Sequence, residues 1–280
     1  MSRIDVNKTY KLFIGGAFPR SESGRVYEIK GANKKFIANP ALASRKDLRD
    51  AVVAAKSASS GWANATAFNR GQILYRIAEI MQGRSEQFID EICLLEGVSN
   101  KVAKLQVEEA IDTWVWYSGW CDKLSSVSGS QNQVSGPFYN FTTPEALGVV
   151  AIFAESKPSL LGVVRTLAPV ITAGNSAVLI ASESYPLPAI TLSEVLATSD
   201  LPAGVVNVLT GKVSELAPWV GSHMEIDGVD VAGLSKKQED EIKLVGADNL
   251  KRIHRFSTTN HPERILSFME HKTIWHPIGI

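Results

Sequence analysis

Hydrophobic and polar positions follow two rhythms along the chain. From Ser44 to Lys123 the apolar residues recur at helical spacing. SRKDLRDAVVAAKSA places Leu48, Val52 and Ala55 on one face, with Ser44 as N-cap. Asn69–Met81 repeats the pattern through Ile73, Leu74, Ile77 and Met81. Ser85–Glu96 does so through Phe88, Ile92 and Leu95, with Gly97 as C-cap. Lys104–Lys123 predicts a long helix whose Trp114, Tyr117 and Trp120 form a stripe expected in the core. Before these helices, KLFIGGAF (11–18) predicts a short strand with a Gly-Gly turn. After them comes a polar loop, 124–136, and then PFYNFTT (137–143), which alternates like a strand.

From Gly148 the rhythm changes. Short apolar runs recur at VVAIF (149–153), SAVLI (176–180), VVNVL (205–209) and, more weakly, IDGVDVAG (226–233). Helical stretches separate them at Leu160–Thr172, Ala189–Ala197, Val213–Ser222 and Ser235–Val245. This order predicts βαβ units with right-handed crossovers and a doubly wound parallel sheet of about five strands. Ligands in such sheets bind beyond the carboxyl ends of the strands. The loop Ala181–Ser184, which follows SAVLI, falls at such a position.

Composition narrows the class without naming it. The 280 residues are 45% hydrophobic and 21% charged, and Lys+Arg equals Asp+Glu at 29 each. A neutral chain of mixed charges lacks the cationic footprint that nucleic acid requires. The N-terminus has no apolar signal core and no apolar run is long enough to span a bilayer, so a cytoplasmic location is expected. Two cysteines, Cys93 and Cys121, fit a reducing compartment and have no metal spacing. Five histidines, four of them after Lys251, are too loosely spaced to argue a metal site; His271 and His276 are the nearest to one. No GxGxxG or GxxxxGK[ST] loop is present.

The stretch LAPVITAGNSAVLIASESYPLPAITLSEVLATSDLPAGVVNVLTG (167–211) resembles the core of the aldehyde dehydrogenase superfamily. Pro169, Gly174, Asn175, Ser182, Glu183, Pro186, Leu201, Pro202, Gly204, Asn207 and Gly211 carry the likeness. The Gly61-Trp62, Arg70, Ile73, Leu74 series and YSGWCDK (117–123) extend it upstream, and NLKRI (249–253) downstream. The resemblance implies an N-terminal helical part of the cofactor domain over 1–123, an oligomerisation hairpin over 124–147 and a Rossmann-like α/β part over 148–256. A divergent tail, 257–280, follows.

The resemblance also implies a chemistry that can be checked residue by residue. A cysteine thiolate attacks the aldehyde, an asparagine helps hold the oxyanion, and hydride passes to NAD or NADP before a base-activated water releases the acid. Aligned without gaps, the oxyanion asparagine falls on Lys157 and the ribose-binding lysine on Ile180. The motif that opens the pyrophosphate helix falls on Val231–Leu234, and the general base on Phe256. The nucleophile belongs to a second domain, which the chain is expected to lack; Cys93 and Cys121 lie where the family has none. Ser182, Glu183, Gly211, Gly233 and Ser235 remain as candidate cofactor contacts. The expectation is a non-catalytic homologue, a structural or regulatory subunit in a homo-oligomer or beside a full-length aldehyde dehydrogenase. The alternative is a NAD(P)-binding oxidoreductase active only in a complex. The apolar Ile274, Trp275, Ile278 and Ile280 suggest that the tail packs against something, while the strand that completes the hairpin sheet in the family is expected to be missing.

Overall fold

The computed structural model describes residues 6–256 and 260–279. Residues 10–18 form the Gly-Gly turn, with Gly15 and Gly16 both at positive φ as a tight two-residue turn requires. Phe13 exchanges two backbone hydrogen bonds with Val208, which adds this turn to the edge of the main sheet. A small hairpin follows, β1 (Ile29–Lys30) and β2 (Phe36–Ala38).

Four helices come next: α1 (Arg45–Ala63), α2 (Ala67–Gly83), α3 (Ser85–Glu96) and α4 (Asn100–Ser118). Ser44 and Asp47 close a capping box at the start of α1, and Gly97 ends α3 in the left-handed conformation. α4 starts earlier than its periodicity predicts, because Ser99 caps it, and it stops at Ser118, where Gly119 and a run of turns follow. Trp114 and Tyr117 are fully buried, while Trp120 is half-buried. The expected polar loop 124–136 is partly structured: it holds the one-turn helix α5 (Leu124–Ser128) and the short strand β3 (Ser130–Asn132) before β4 (Phe138–Ala146).

The second half alternates as its pattern predicts. β5 (Val149–Phe153), α6 (Leu161–Thr172), β6 (Ser176–Ile180), α7 (Leu187–Leu196), β7 (Val206–Leu209), α8 (Val213–Ser222), β8 (Gly228–Asp230), α9 (Lys236–Gly246) and β9 (Arg252–His254) follow in turn. The five strands are parallel in the order β7-β6-β5-β8-β9. β5 therefore starts the sheet at its centre, and the winding reverses between β5 and β8. Every residue of β5 and β6 is buried, which is why both read as continuous apolar runs rather than alternating ones. Val150 and Ile152 enter the core beneath α2–α4, α6 and α7; Val149, Ala151 and Phe153 enter the core beneath α1, α8 and α9.

The tail is where sequence and structure part. After β9 the chain forms a single helical turn, α10 (Glu263–Leu266), and then β10 (Met269–Pro277). β10 pairs with β4 antiparallel over nine residues, from Met269 opposite Ala146 to Pro277 opposite Phe138. The hairpin sheet, ordered β10-β4-β3, is thus completed from within this chain, contrary to the expectation that its third strand is missing. Among the described residues no helix is long and apolar enough to cross a membrane.

Candidate functional site

The crevice beyond the carboxyl ends of β5 and β8 is the place to look for a ligand. The loop after β5 is fixed by the N-terminal helices. Ser159 N–H donates to Glu96 Oε1 (2.8 Å) and Leu160 N–H to Gln106 Oε1 (3.0 Å), so side chains from α3 and α4 cap the start of α6. Lys157, at the oxyanion position, donates its ammonium to the Glu96 carbonyl (3.1 Å) and lies 4.8 Å from the Tyr185 ring centroid. Its charge is engaged by α3 and by an aromatic face, not aimed at a reacting atom.

The loop after β8 closes onto the loop after β5. Gly233 N–H donates to Phe153 O (2.8 Å), and a Cβ added at Gly233 would stand 2.1 Å from Ala154 O. Leu234 N–H donates to Val231 O, and Ser235 N–H to Gln238 Oε1. Ser235 Oγ in turn accepts from Gln238 N–H, so α9 carries its own capping box. The Leu234 side chain is buried in the core. Arg255 fastens the same loop, donating to Ala232 O, Leu234 O and Glu239 Oε2, each at 2.9 Å. A pyrophosphate needs free N–H groups at a helix N-terminus. Those of Gly233, Leu234 and Ser235 already have partners, which leaves an anion only the N–H groups of Lys236 and Lys237 in the first turn of α9.

The candidates after β6 and β7 are also accounted for locally. Ser182 is buried, and its Oγ accepts from Tyr185 N–H (3.1 Å). Glu183 is exposed; its Oε2 accepts from Val213 N–H (3.3 Å) and places a negative charge at the N-terminus of α8. A Cβ on Gly211 would stand 3.2 Å from Ala43 N, so this glycine admits the segment leading into α1. Ser182, Glu183 and Gly211 thus gather around the start of α8, and Gly233 with Ser235 forms a second group at the start of α9.

Sequence reasoning missed two features. One is an apolar slot of about 310 Å³ between α8 and α9, lined by Pro218, Trp219, Ile242 and Val245 with Gln238 at its rim. Trp219 is partly exposed there, with the Arg45 guanidinium 3.8 Å from its ring centroid. Its volume lies at the small end of the range of ligand pockets. The other is Asp230 at the end of β8, 1% exposed. Its only sequence signal is a lone acid inside an apolar strand. Burial pushes its carboxyl up to about 6, against the opposing pull of the Arg264 guanidinium and the Ala232 N–H. Arg264, itself 4% exposed, comes from α10 and also donates to Arg165 O (2.9 Å).

A carboxyl raised in the folded state binds its proton more tightly there than in the unfolded chain. Its ionisation therefore costs stability as pH rises from about 4 through about 6, and the full cost is present above that. A shift of about two units corresponds to about 3 kcal/mol. Asp230→Asn keeps the acceptor for Ala232 N–H, and it is expected to gain about 2 kcal/mol relative to the native chain between pH 4.5 and pH 8. Urea unfolding at the two pH values measures this.

Phe256, at the base position, packs in an aromatic cluster with His254 (5.4 Å, stacked) and Phe268 (5.9 Å, edge-on), under the Arg264 guanidinium. The other three residues of that motif, Ser257–Thr259, lie outside the described residues. Cys121 is buried, and burial pushes its thiol up to about 11, which leaves little thiolate near neutral pH. Cys93 is half-buried in α3. His271 and His276, five apart on β10, fall on opposite faces of the strand and cannot share an ion.

A parallel sheet whose winding reverses between β5 and β8 defines a doubly wound α/β domain. The aldehyde dehydrogenase family model matches residues 18–257, and the chain belongs to that family. Cytosolic 10-formyltetrahydrofolate dehydrogenase of Mus musculus is 29% identical over 259 residues, which cover 90% of this chain and 29% of that protein. Aldehyde dehydrogenase of Emericella nidulans is 29% identical over 248 residues, 86% of this chain and 48% of that one. Among solved structures, a putative aldehyde dehydrogenase from Burkholderia cenocepacia superposes with a TM-score of 0.84 at 26% identity, covering 88% of this chain and 50% of its own. PnpE, solved with nicotinamide adenine dinucleotide, gives 0.83 at 25% identity and covers 89% and 50%. The chain spans about half the length of the aldehyde dehydrogenases it matches, and less than a third of the 10-formyltetrahydrofolate dehydrogenase.

Proposed function

We propose that this chain is a non-catalytic aldehyde dehydrogenase homologue that serves as a structural or regulatory subunit of an oligomer, either with copies of itself or beside a full-length aldehyde dehydrogenase. One observation carries the reading: the loops after β5 and β8 close on each other through Gly233 and Phe153, and Arg255 fastens the β8 loop to α9. The groups at the chemical positions then do other work. Lys157 is bound to α3, Leu234 is in the core, and Phe256 cannot take a proton. The purified chain, assayed with simple aldehydes and NAD or NADP, is expected to give no turnover. Turnover that is abolished by mutating one of its own residues overturns the proposal.

The slot between α8 and α9 favours a second reading, a nucleotide-binding subunit whose active site is completed by a partner, with NAD or NADP as the ligand. The slot is apolar and bordered by Trp219, but the loop after β8 offers the pyrophosphate no free N–H at Gly233, Leu234 or Ser235. Calorimetry up to millimolar NAD and NADP is expected to show no saturable heat. A saturable heat lost in Trp219→Ala establishes this second reading instead.

A further inference from the structure

The outer edge of β10 is open: among the described residues no strand pairs with it, and every residue of β10 except Met269 and Ile274 is exposed. Its hydrogen-bonding parity is fixed at both ends. Ile278 N–H donates to Pro137 O (2.8 Å), and Leu147 N–H donates to Phe268 O (3.3 Å). Even-numbered residues of β10 therefore exchange hydrogen bonds with β4, and odd-numbered residues turn their N–H and C=O groups outward. Pro277 has no N–H, and the Met269 carbonyl already accepts from Arg252. His271, Thr273 and Trp275 remain, each presenting both groups to solvent.

We propose that this edge pairs with β10 of a second copy of the chain, antiparallel, about a two-fold axis at Thr273. This deepens the assembly role proposed above and rests on it, but its test reads association rather than activity. The register is set by the free groups. With the axis at Thr273, His271 faces the partner's Trp275, Thr273 faces the partner's Thr273, and Trp275 faces the partner's His271. All three are hydrogen-bonded pairs, so each residue with two free groups satisfies both. An axis at Lys272 sets two lysines directly opposite and faces Trp275 with the partner's Met269, whose carbonyl is already taken. An axis at Trp275 sets Thr273 against the partner's Pro277, which cannot donate. An axis at His271 places two histidines directly opposite and leaves Trp275 without a bonded partner.

The side chains agree with the Thr273 axis. On one face Glu270 lies opposite the partner's His276 and Lys272 opposite the partner's Ile274, so no like charges meet. On the other face the Thr142–Thr273 hydroxyl contact (2.9 Å) continues across the axis into its own copy. Trp275, 56% exposed and edge-on to Phe138, is covered by the second ribbon. Two three-stranded ribbons become one six-stranded sheet, and the long edge disappears.

Thr273→Pro tests this cleanly, because the N–H it removes faces outward and the ladder to β4 is untouched. Native chain is expected to sediment as a dimer at micromolar concentration. Thr273→Pro is expected to raise the dimer dissociation constant at least tenfold, with a melting curve that matches the native one at dilutions where both are monomeric. Thr273→Cys places two thiols across the axis with Cα atoms about 5.5 Å apart, within disulfide range, and is expected to yield a cross-linked dimer on mild oxidation. Three results overturn the inference. One is a native chain that stays monomeric at high micromolar concentration. Another is a dimer that neither Thr273→Pro weakens nor Thr273→Cys traps, which puts the interface elsewhere and leaves the subunit role standing. The third is a chain that is monomeric alone but binds a full-length aldehyde dehydrogenase in a manner Thr273→Pro abolishes, which gives the edge to a different partner.

Discussion

Asn175→Ala will lower the unfolding free energy by about 4 kcal/mol, measured as a fall in the urea midpoint at constant m-value. Asn175 is fully buried at the turn between α6 and β6. Its Oδ1 accepts from Gly148 N–H (2.8 Å), just before β5, and its Nδ2 donates to Phe268 O (2.8 Å), just before β10. One amide thus ties together the start of the central strand, the α6–β6 turn and the tail. Alanine leaves the Gly148 N–H without its acceptor and the Phe268 carbonyl with only the longer bond from Leu147. Each such loss in a buried site costs about 1–3 kcal/mol, and the vacated volume adds to it. Asp at the same position restores the acceptor but sets a carboxylate against a carbonyl, so Asn175→Asp should be no more stable than the alanine variant.

Gly233→Ala is the second large effect, expected at about 3 kcal/mol. The new methyl would overlap the Ala154 carbonyl, which is backbone and cannot swing aside as a side chain could. The loop must retreat, and the hydrogen bond to Phe153 O goes with it. Gly61→Ala is the control. It lies in α1 with open space around it, so the methyl should stabilise by about 0.5–1 kcal/mol through helix propensity. If the two substitutions shift the unfolding midpoint equally, the loop closure beyond β5 and β8 is not tight. The proposed function would then lose its main support.

Much of the fold was legible because its determinants are local. VVAIF and SAVLI give β5 and β6 to the residue, since strands covered on both faces must be apolar throughout. Val213–Ser222 is α8 as its periodicity predicts. β8 is shorter than IDGVDVAG suggests, because only Gly228–Asp230 finds partners in β5 and β9. β10 was not legible: MEHKTIWHP mixes charge and apolar residues without a clear period, because both of its faces meet solvent and its stability comes from β4, more than a hundred residues away. The site divides in the same way. Lys157, Ile180 and Phe256 depart from the family pattern by identity alone. That Glu183 serves α8, that Ser235 is matched by Gln238, and that Arg255 and Arg264 reach back into the crevice depend on contacts no local pattern encodes.

The pairing of β4 with β10 has a consequence for how the chain emerges from the ribosome. β4 offers nine residues, yet β3 engages only three of them, and its other partner strand follows more than a hundred residues later. While α6 to α9 are being synthesised, Tyr139, Phe141 and the bare side of β4 must wait without a neighbour, a state prone to pairing with other nascent chains. The Rossmann-like half can assemble during this interval from near-sequential βαβ contacts, and the ribbon closes only once β10 has emerged. Chains truncated before Met269 should therefore be recovered mainly as aggregates, even though every strand of the parallel sheet is intact.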